Sequence, residues 1–124
     1  MRSAGLTFGC GMVGFLPATA CGVAATARII RFMADESAAQ CGPCLYGLRA
    51  ISDATSRVAN GAAHGGDLER IELLTAQTGG RGACHHPDGA VQLMASAMDV
   101  FGDEFHYHAR TGRCSVPGAG SEVA

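Results

Sequence analysis

Four stretches with helical spacing of apolar residues, each closed by glycine or a proline-glycine junction, predict a mainly α protein: a small four-helix bundle. The first twenty residues lack that period and are broken by glycine, which predicts a short β hairpin at the N-terminus, Leu6 to Phe8 paired with Met12 to Leu16. In the first helix, Gly22 to Glu36, Val23, Ala27, Ile30, Met33 and Ala34 lie on one side and Arg28 and Arg31 on the other. The second, Leu45 to Ala59, repeats the period through Leu48, Ile51, Thr55 and Val58 and stops at Asn60-Gly61, a left-handed terminator. Asp67 is the expected cap of a third helix with Leu68, Ile71 and Leu74 in one stripe, ended by Gly79-Gly80-Arg81-Gly82. Pro87 suits the first turn of a fourth, where a missing N–H does no harm, and Val91, Met94, Met98 and Phe101 face inward until Gly102. Beyond Phe105 the pattern fades. The expected organisation is a residual β segment over 1–20, a helical domain over 21–105 and an irregular tail over 106–124.

Composition narrows the function. The chain has 124 residues, 18 of them glycine, no tryptophan and few aromatics, so it forms one small domain with a thin, alanine-rich core that a cofactor or partner would stabilise. The formal charge is -2, every basic side chain is arginine and none cluster, which excludes a general nucleic-acid binder. No stretch approaches the roughly 20 apolar residues of a membrane span. Residues 3 to 27 are uncharged and Ala18-Thr19-Ala20 imitates a cleavage site, yet Gly5, Gly9, Gly11, Gly14 and Pro17 interrupt any apolar helix, against a signal peptide. Gly9-Cys10-Gly11-Met12-Val13-Gly14 spells the dinucleotide fingerprint without the leading strand and following helix that make it work, and Phe15-Leu16-Pro17 stands where the helix would start.

The chemistry lies in the six cysteines, at 10, 21, 41, 44, 84 and 114. Cys41-Gly-Pro-Cys44 leads into a helix, and Cys84 sits at another helix junction, so a bundle can gather the three at one end. Thiolates near helix N-termini are stabilised by the dipole, which favours metal ligation or redox work. Three uses compete on residue types alone. An iron-sulfur cluster wants four cysteines and sometimes accepts histidine. Structural zinc would take Cys41, Cys44, Cys84 and His85 or His86. A dithiol couple would expect a βαβ setting that is lacking here.

From Cys21 through Arg28, Phe32, Glu36-Ser37-Ala38-Ala39-Gln40-Cys41-Gly42-Pro43-Cys44 to Gly47, the sequence resembles the C-terminal part of the flavoprotein subunit of NADH:quinone oxidoreductase, respiratory complex I. That family carries E-S-C-G-x-C-x-P-C-R-x-G and a distant fourth cysteine, the four holding a [4Fe-4S] cluster. Glu36, Ser37, Gln40, Cys41, Pro43, Cys44 and Gly47 fall on the motif, and Cys84 on the distal ligand. The resemblance covers roughly residues 9 to 105, with the N-terminal glycine-rich segment resembling the end of a β-grasp domain. It implies an iron-sulfur relay domain with Cys41, Cys44 and Cys84 as ligands.

Ala38 and Ala39 depart from the family's Cys-Gly, which removes one ligand and implies a [3Fe-4S] cluster, or a [4Fe-4S] cluster with a non-cysteine donor. His85 is the preferred in-chain donor, ahead of Cys10, Cys114, Asp35 and Ser37; Cys21 is expected to be core. The upstream module that binds FMN and NADH has no counterpart, so the implied role is electron relay without a catalytic centre of its own. The implied partners are a flavin/NADH-binding subunit and other iron-sulfur subunits, with a cytoplasmic location peripheral to a membrane complex. Set against this are a zinc-stabilised Cys3His interaction module and a degenerate structural domain with free thiols. His106-Tyr107-His108 is expected to be an extended tail and Asp103-Glu104 a solvated helix end.

Overall fold

The computed structural model describes residue 11 and residues 13–117, and within them four α-helices pack as a bundle without strands. The expected hairpin is therefore corrected: Val13 to Leu16 are irregular and exposed, while Leu6 to Phe8 lie outside the described residues. With four glycines in residues 5–14 and Pro17 just after, this segment offers little side-chain surface to hold strands together.

Helix α1 spans Gly22–Asp35 and buries Val23, Ala27, Ile30 and Ala34. Its N-cap is Cys21, whose sulfur accepts the Ala24 N–H at 3.3 Å. At the other end, His86 donates from Nε2 to the Met33 carbonyl at 2.8 Å, satisfying one of the acceptors a helix end leaves open. Helix α2, Arg49–Ala59, does not begin at Leu45 as expected; it is preceded by a π-helical turn over Pro43–Leu48. Pro43 has no N–H to contribute to a first turn, and the widened turn still keeps Cys44, Gly47 and Leu48 buried together. Gly47 matters for space: a Cβ there would come within 2.6 Å of the Thr78 hydroxyl.

Helix α3, Asp67–Thr78, is capped by Gly66 at φ 90, not by Asp67. The Asp67 carboxylate is occupied elsewhere. It accepts from Arg57 Nε at 3.0 Å and Nη2 at 2.6 Å, and from the His64 N–H at 2.9 Å, tying the end of α2 to the start of α3. The Arg57 guanidinium first, and the His64 N–H with it, hold the buried carboxyl below its ordinary value. We expect Asp67→Asn to cost about 2 kcal/mol, between the values for surface and buried pairs because Arg57 stays about one-third exposed. A carboxyl with a depressed folded value contributes fully above its unfolded value, near 4, and loses that contribution as pH falls through the folded value. Denaturant titrations should therefore show the gap between parent and variant at pH 7 narrowing below about pH 4.

Helix α4, His86–Thr111, runs 26 residues and passes the expected stop at Gly102. Phe101 leaves helical geometry (φ -113, ψ 18) without ending the helix, and its ring lies where a Cβ on Gly22 would sit, 2.6 Å away. Phe105 and His108, three apart, are buried and carry the apolar face onward. The irregular tail expected from residue 106 thus begins only after Thr111, where Gly112 at φ 67 stops the helix. Helices α1 and α4 are antiparallel: His86 meets Met33 at one end and His108 meets Cys21 at the other. Seven alanines lie in the buried core, the thin packing that the composition predicts. Among the described residues no helix is long and apolar enough to cross a membrane.

Candidate metal centre

Two junctions meet at the end of the bundle where α1 finishes and α4 starts. One is the loop from Glu36 into the π-helical turn, carrying Cys41 and Cys44; the other runs from Gly79 to His85 and carries Cys84. Cys44 is buried, Cys41 half-buried and Cys84 exposed, so the group opens outward.

The Cys41 sulfur receives the backbone N–H groups of Ala83 and Cys44, which hold its thiol below the ordinary value. Cys44 is pushed up, first by burial, then by the neighbouring Cys41 thiol and by Cys84. The three expected ligands therefore stand within electrostatic reach of one another, and the second loop touches the first directly through Ala83. Cys41 and Cys44 are in side-chain hydrogen-bond contact, and Cys84 acts on Cys44 through its charge.

The loop around Cys84 is a closed collar. Asp88, in the first turn of α4, accepts the Gly80 N–H at 2.8 Å with one oxygen and pairs with His85 Nδ1 at 3.0 Å with the other. Those two contacts, the Gly80 N–H first, hold its carboxyl below the ordinary range. Gly82 packs so closely that a Cβ would meet the Pro87 ring and the Cys84 carbonyl at 2.5 and 2.6 Å. Arg81 remains exposed.

The candidates for a fourth donor are sorted by position. His85 is fully exposed, with Nδ1 on Asp88 and Nε2 open; His86 is spent on the Met33 carbonyl. Ser37 bonds the Ala34 carbonyl at 2.8 Å and lies against Cys44, and Asp35 is an exposed helix end. Cys114 is removed from the candidates: it sits beside Cys21, at the opposite end of the 14-residue α1 and so about 20 Å away. Cys10 lies outside the described residues. Ala38 is exposed, and Ala39 adopts φ 51, the left-handed region that disfavours any Cβ. The Gly of the motif that this stretch resembles has a physical reason there, and Ala39→Gly should stabilise the chain by about 0.5–1 kcal/mol in urea titrations.

Sequence reasoning missed one group. Cys21, expected to be plain core, has its sulfur 3.3 Å from Nε2 of His108, and His108 is buried rather than part of an extended tail. Glu104, expected to be solvated, lies within 3.8 Å of the same nitrogen. The i, i+4 spacing of Glu104 and His108 was the available signal, hidden by the assumption that the helix had ended.

Among known proteins, the match covers most of the bundle. Residues 24–108 match the family described as the NADH-ubiquinone oxidoreductase-F iron-sulfur binding region. The chain is 32% identical over 114 residues to an NADH-quinone oxidoreductase subunit of Rhizobium meliloti (strain 1021), covering 92% of this chain and 27% of that protein. It is 36% identical over 75 residues to the corresponding NADH-quinone oxidoreductase subunit of Escherichia coli (strain K12), covering 60% of this chain and 17% of the relative. The chain thus spans about a quarter or less of the length of these relatives.

Proposed function

The chain belongs to the NADH-ubiquinone oxidoreductase-F iron-sulfur binding region family, and from that premise we propose that its helical domain, residues 21–111, is an electron relay whose cluster is held by Cys41, Cys44 and Cys84. The observation that carries the reading is the convergence of these three thiols from two loops at one end of the bundle, inside the region that matches the iron-sulfur binding family. The cluster, when bound, supplies reversible one-electron transfer. The protein's part is to hold and tune it. Cys44, Gly47 and Leu48 close the inner side to water. The N–H groups of Ala83 and Cys44 donate to the Cys41 sulfur and favour the more reduced state. The helix beginning just after Cys41 and α4, beginning two residues after Cys84, direct their positive ends toward the same region. Exposed Cys84 marks the edge through which electrons pass.

Ala38 leaves one corner without cysteine, and His85, adjacent to Cys84 with Nε2 open, is the in-chain donor for it. The relatives bear the name NADH-quinone oxidoreductase. Accordingly, the proposed donor is a flavin/NADH-binding chain and the proposed acceptor a neighbouring iron-sulfur subunit, in a complex peripheral to the cytoplasmic side of a membrane. Anaerobic reconstitution with iron and sulfide should give a brown protein whose broad visible absorption bleaches with dithionite. A colourless product holding one zinc would reject the relay in favour of a Cys3His module.

A further inference from the structure

At the far end of the bundle, Cys21, Glu104, His108 and Cys114 place one donor atom each so that all four lie within 4.8 Å of one another. Two thiols, an imidazole and a carboxylate come from three separate places: the N-cap of α1, one face of α4 at i and i+4, and the segment after the Gly112 stop. The chain turns there because Gly112 takes φ 67, and Thr111 accepts the Arg113 N–H at 3.2 Å, which sends Cys114 back along α4 toward Glu104. The distances are those of a coordination tetrahedron. Zinc bonds of about 2.3 Å to sulfur and about 2.0 Å to nitrogen or oxygen give edges of about 3.3–3.8 Å. Cys21 Sγ lies 3.3 Å from His108 Nε2, His108 Nε2 3.8 Å from Glu104 Oε2, and Glu104 Oε2 3.9 Å from Cys114 Sγ.

Burial makes this more than a chance meeting of side chains. Cys21 and His108 are 5% and 1% exposed, and among the described residues the Nδ1 of His108 has no partner, so the groups around Nε2 orient the ring. The second carboxylate oxygen of Glu104 is held by the Ser115 hydroxyl. A buried set of ionisable donors is costly unless a counter-charge is shared among them, and a divalent ion supplies it.

We propose that Cys21, Glu104, His108 and Cys114 form a second, mononuclear metal site, selective for zinc by its two-sulfur, nitrogen and oxygen donor set, which pins the end of α4 to the start of α1. Four donors this close enclose one ion, not an iron-sulfur cluster, and the site stands about 20 Å from Cys41 and Cys44. It does not depend on the cluster reading.

The test uses the full chain with Cys41, Cys44 and Cys84 all changed to serine, so that the thiols proposed for the cluster cannot contribute. Titrated anaerobically with cobalt(II), this triple variant should take up one ion per chain, with visible ligand-field bands of a tetrahedral site and near-ultraviolet thiolate-to-cobalt absorption. Zinc should displace it and raise the Tm. Adding Cys114→Ser, at a half-exposed position, should leave the helices folded when checked by circular dichroism, weaken binding at least about 10-fold and abolish the Tm shift. His108→Ala serves as the second variant, with the same loss expected. The proposal is overturned if the triple variant takes up no cobalt, if Cys114→Ser binds it as tightly, or if Cys21 and Cys114 prove by mass spectrometry to be joined in a disulfide in protein purified anaerobically without reductant.

Discussion

Cys44→Ala should lose cluster retention altogether, with reconstituted iron and sulfide falling by more than about 100-fold after desalting. Cys44 is the buried member of the three thiols, and its burial and the two neighbouring thiols act on one sulfur. A ligand at that position faces the bundle, so no water or exposed side chain can replace it. The fold itself should survive, because a buried free cysteine behaves as a small hydrophobe and alanine leaves only a small cavity; a cost of about 1 kcal/mol is expected. Far-ultraviolet circular dichroism recorded beside the iron count separates the two effects. If Cys44→Ala kept its iron and sulfide, Cys44 would not be a ligand.

Ala38→Cys should act in the opposite sense. Residues 38, 41 and 44 are spaced three apart on a loop that ends at the π-helical turn, and Ala38 is exposed with only its carbonyl engaged, by Gln40 at 3.2 Å. A thiol there would give the cluster a fourth cysteine, the usual complement of a [4Fe-4S] centre. Iron should rise to about four per chain, and the half-life of the cluster under a chelator should lengthen about 10-fold. Combining it with Ala39→Gly should add to the effect, because the left-handed backbone at residue 39 then carries no Cβ. An unchanged half-life in the double variant would show that the corner next to residue 38 is already closed by another donor.

The helical half of the fold was legible because its signals are local. The stripes of α1 and α2 follow a 3.6-residue period, and Asn60-Gly61 does stop α2, with Gly61 at φ 70. What escaped sequence reasoning depended on contacts that spacing does not reveal. Gly102 reads as a terminator, yet Phe105 and His108 beyond it are buried in the bundle, and that packing keeps the chain helical. Asp67 reads as a cap because its type suits one, but Arg57, ten residues earlier, holds its carboxylate instead.

The two sites divide in the same way. Cys41, Cys44 and Cys84 could be singled out by a short motif and by resemblance. The second quartet could not, since Cys21 and His108 are separated by 87 positions and are joined only by the antiparallel return of α4.

Counting iron and acid-labile sulfide per chain after anaerobic reconstitution, with EPR spectra before and after dithionite, bears on the relay without intermediate steps. About three to four irons with a comparable amount of sulfide are expected. A signal in the oxidised protein would mark the three-iron form, and one seen only on reduction the four-iron form. A chain that retains zinc at Cys41, Cys44 and Cys84 while holding neither iron nor sulfide would rule the relay out.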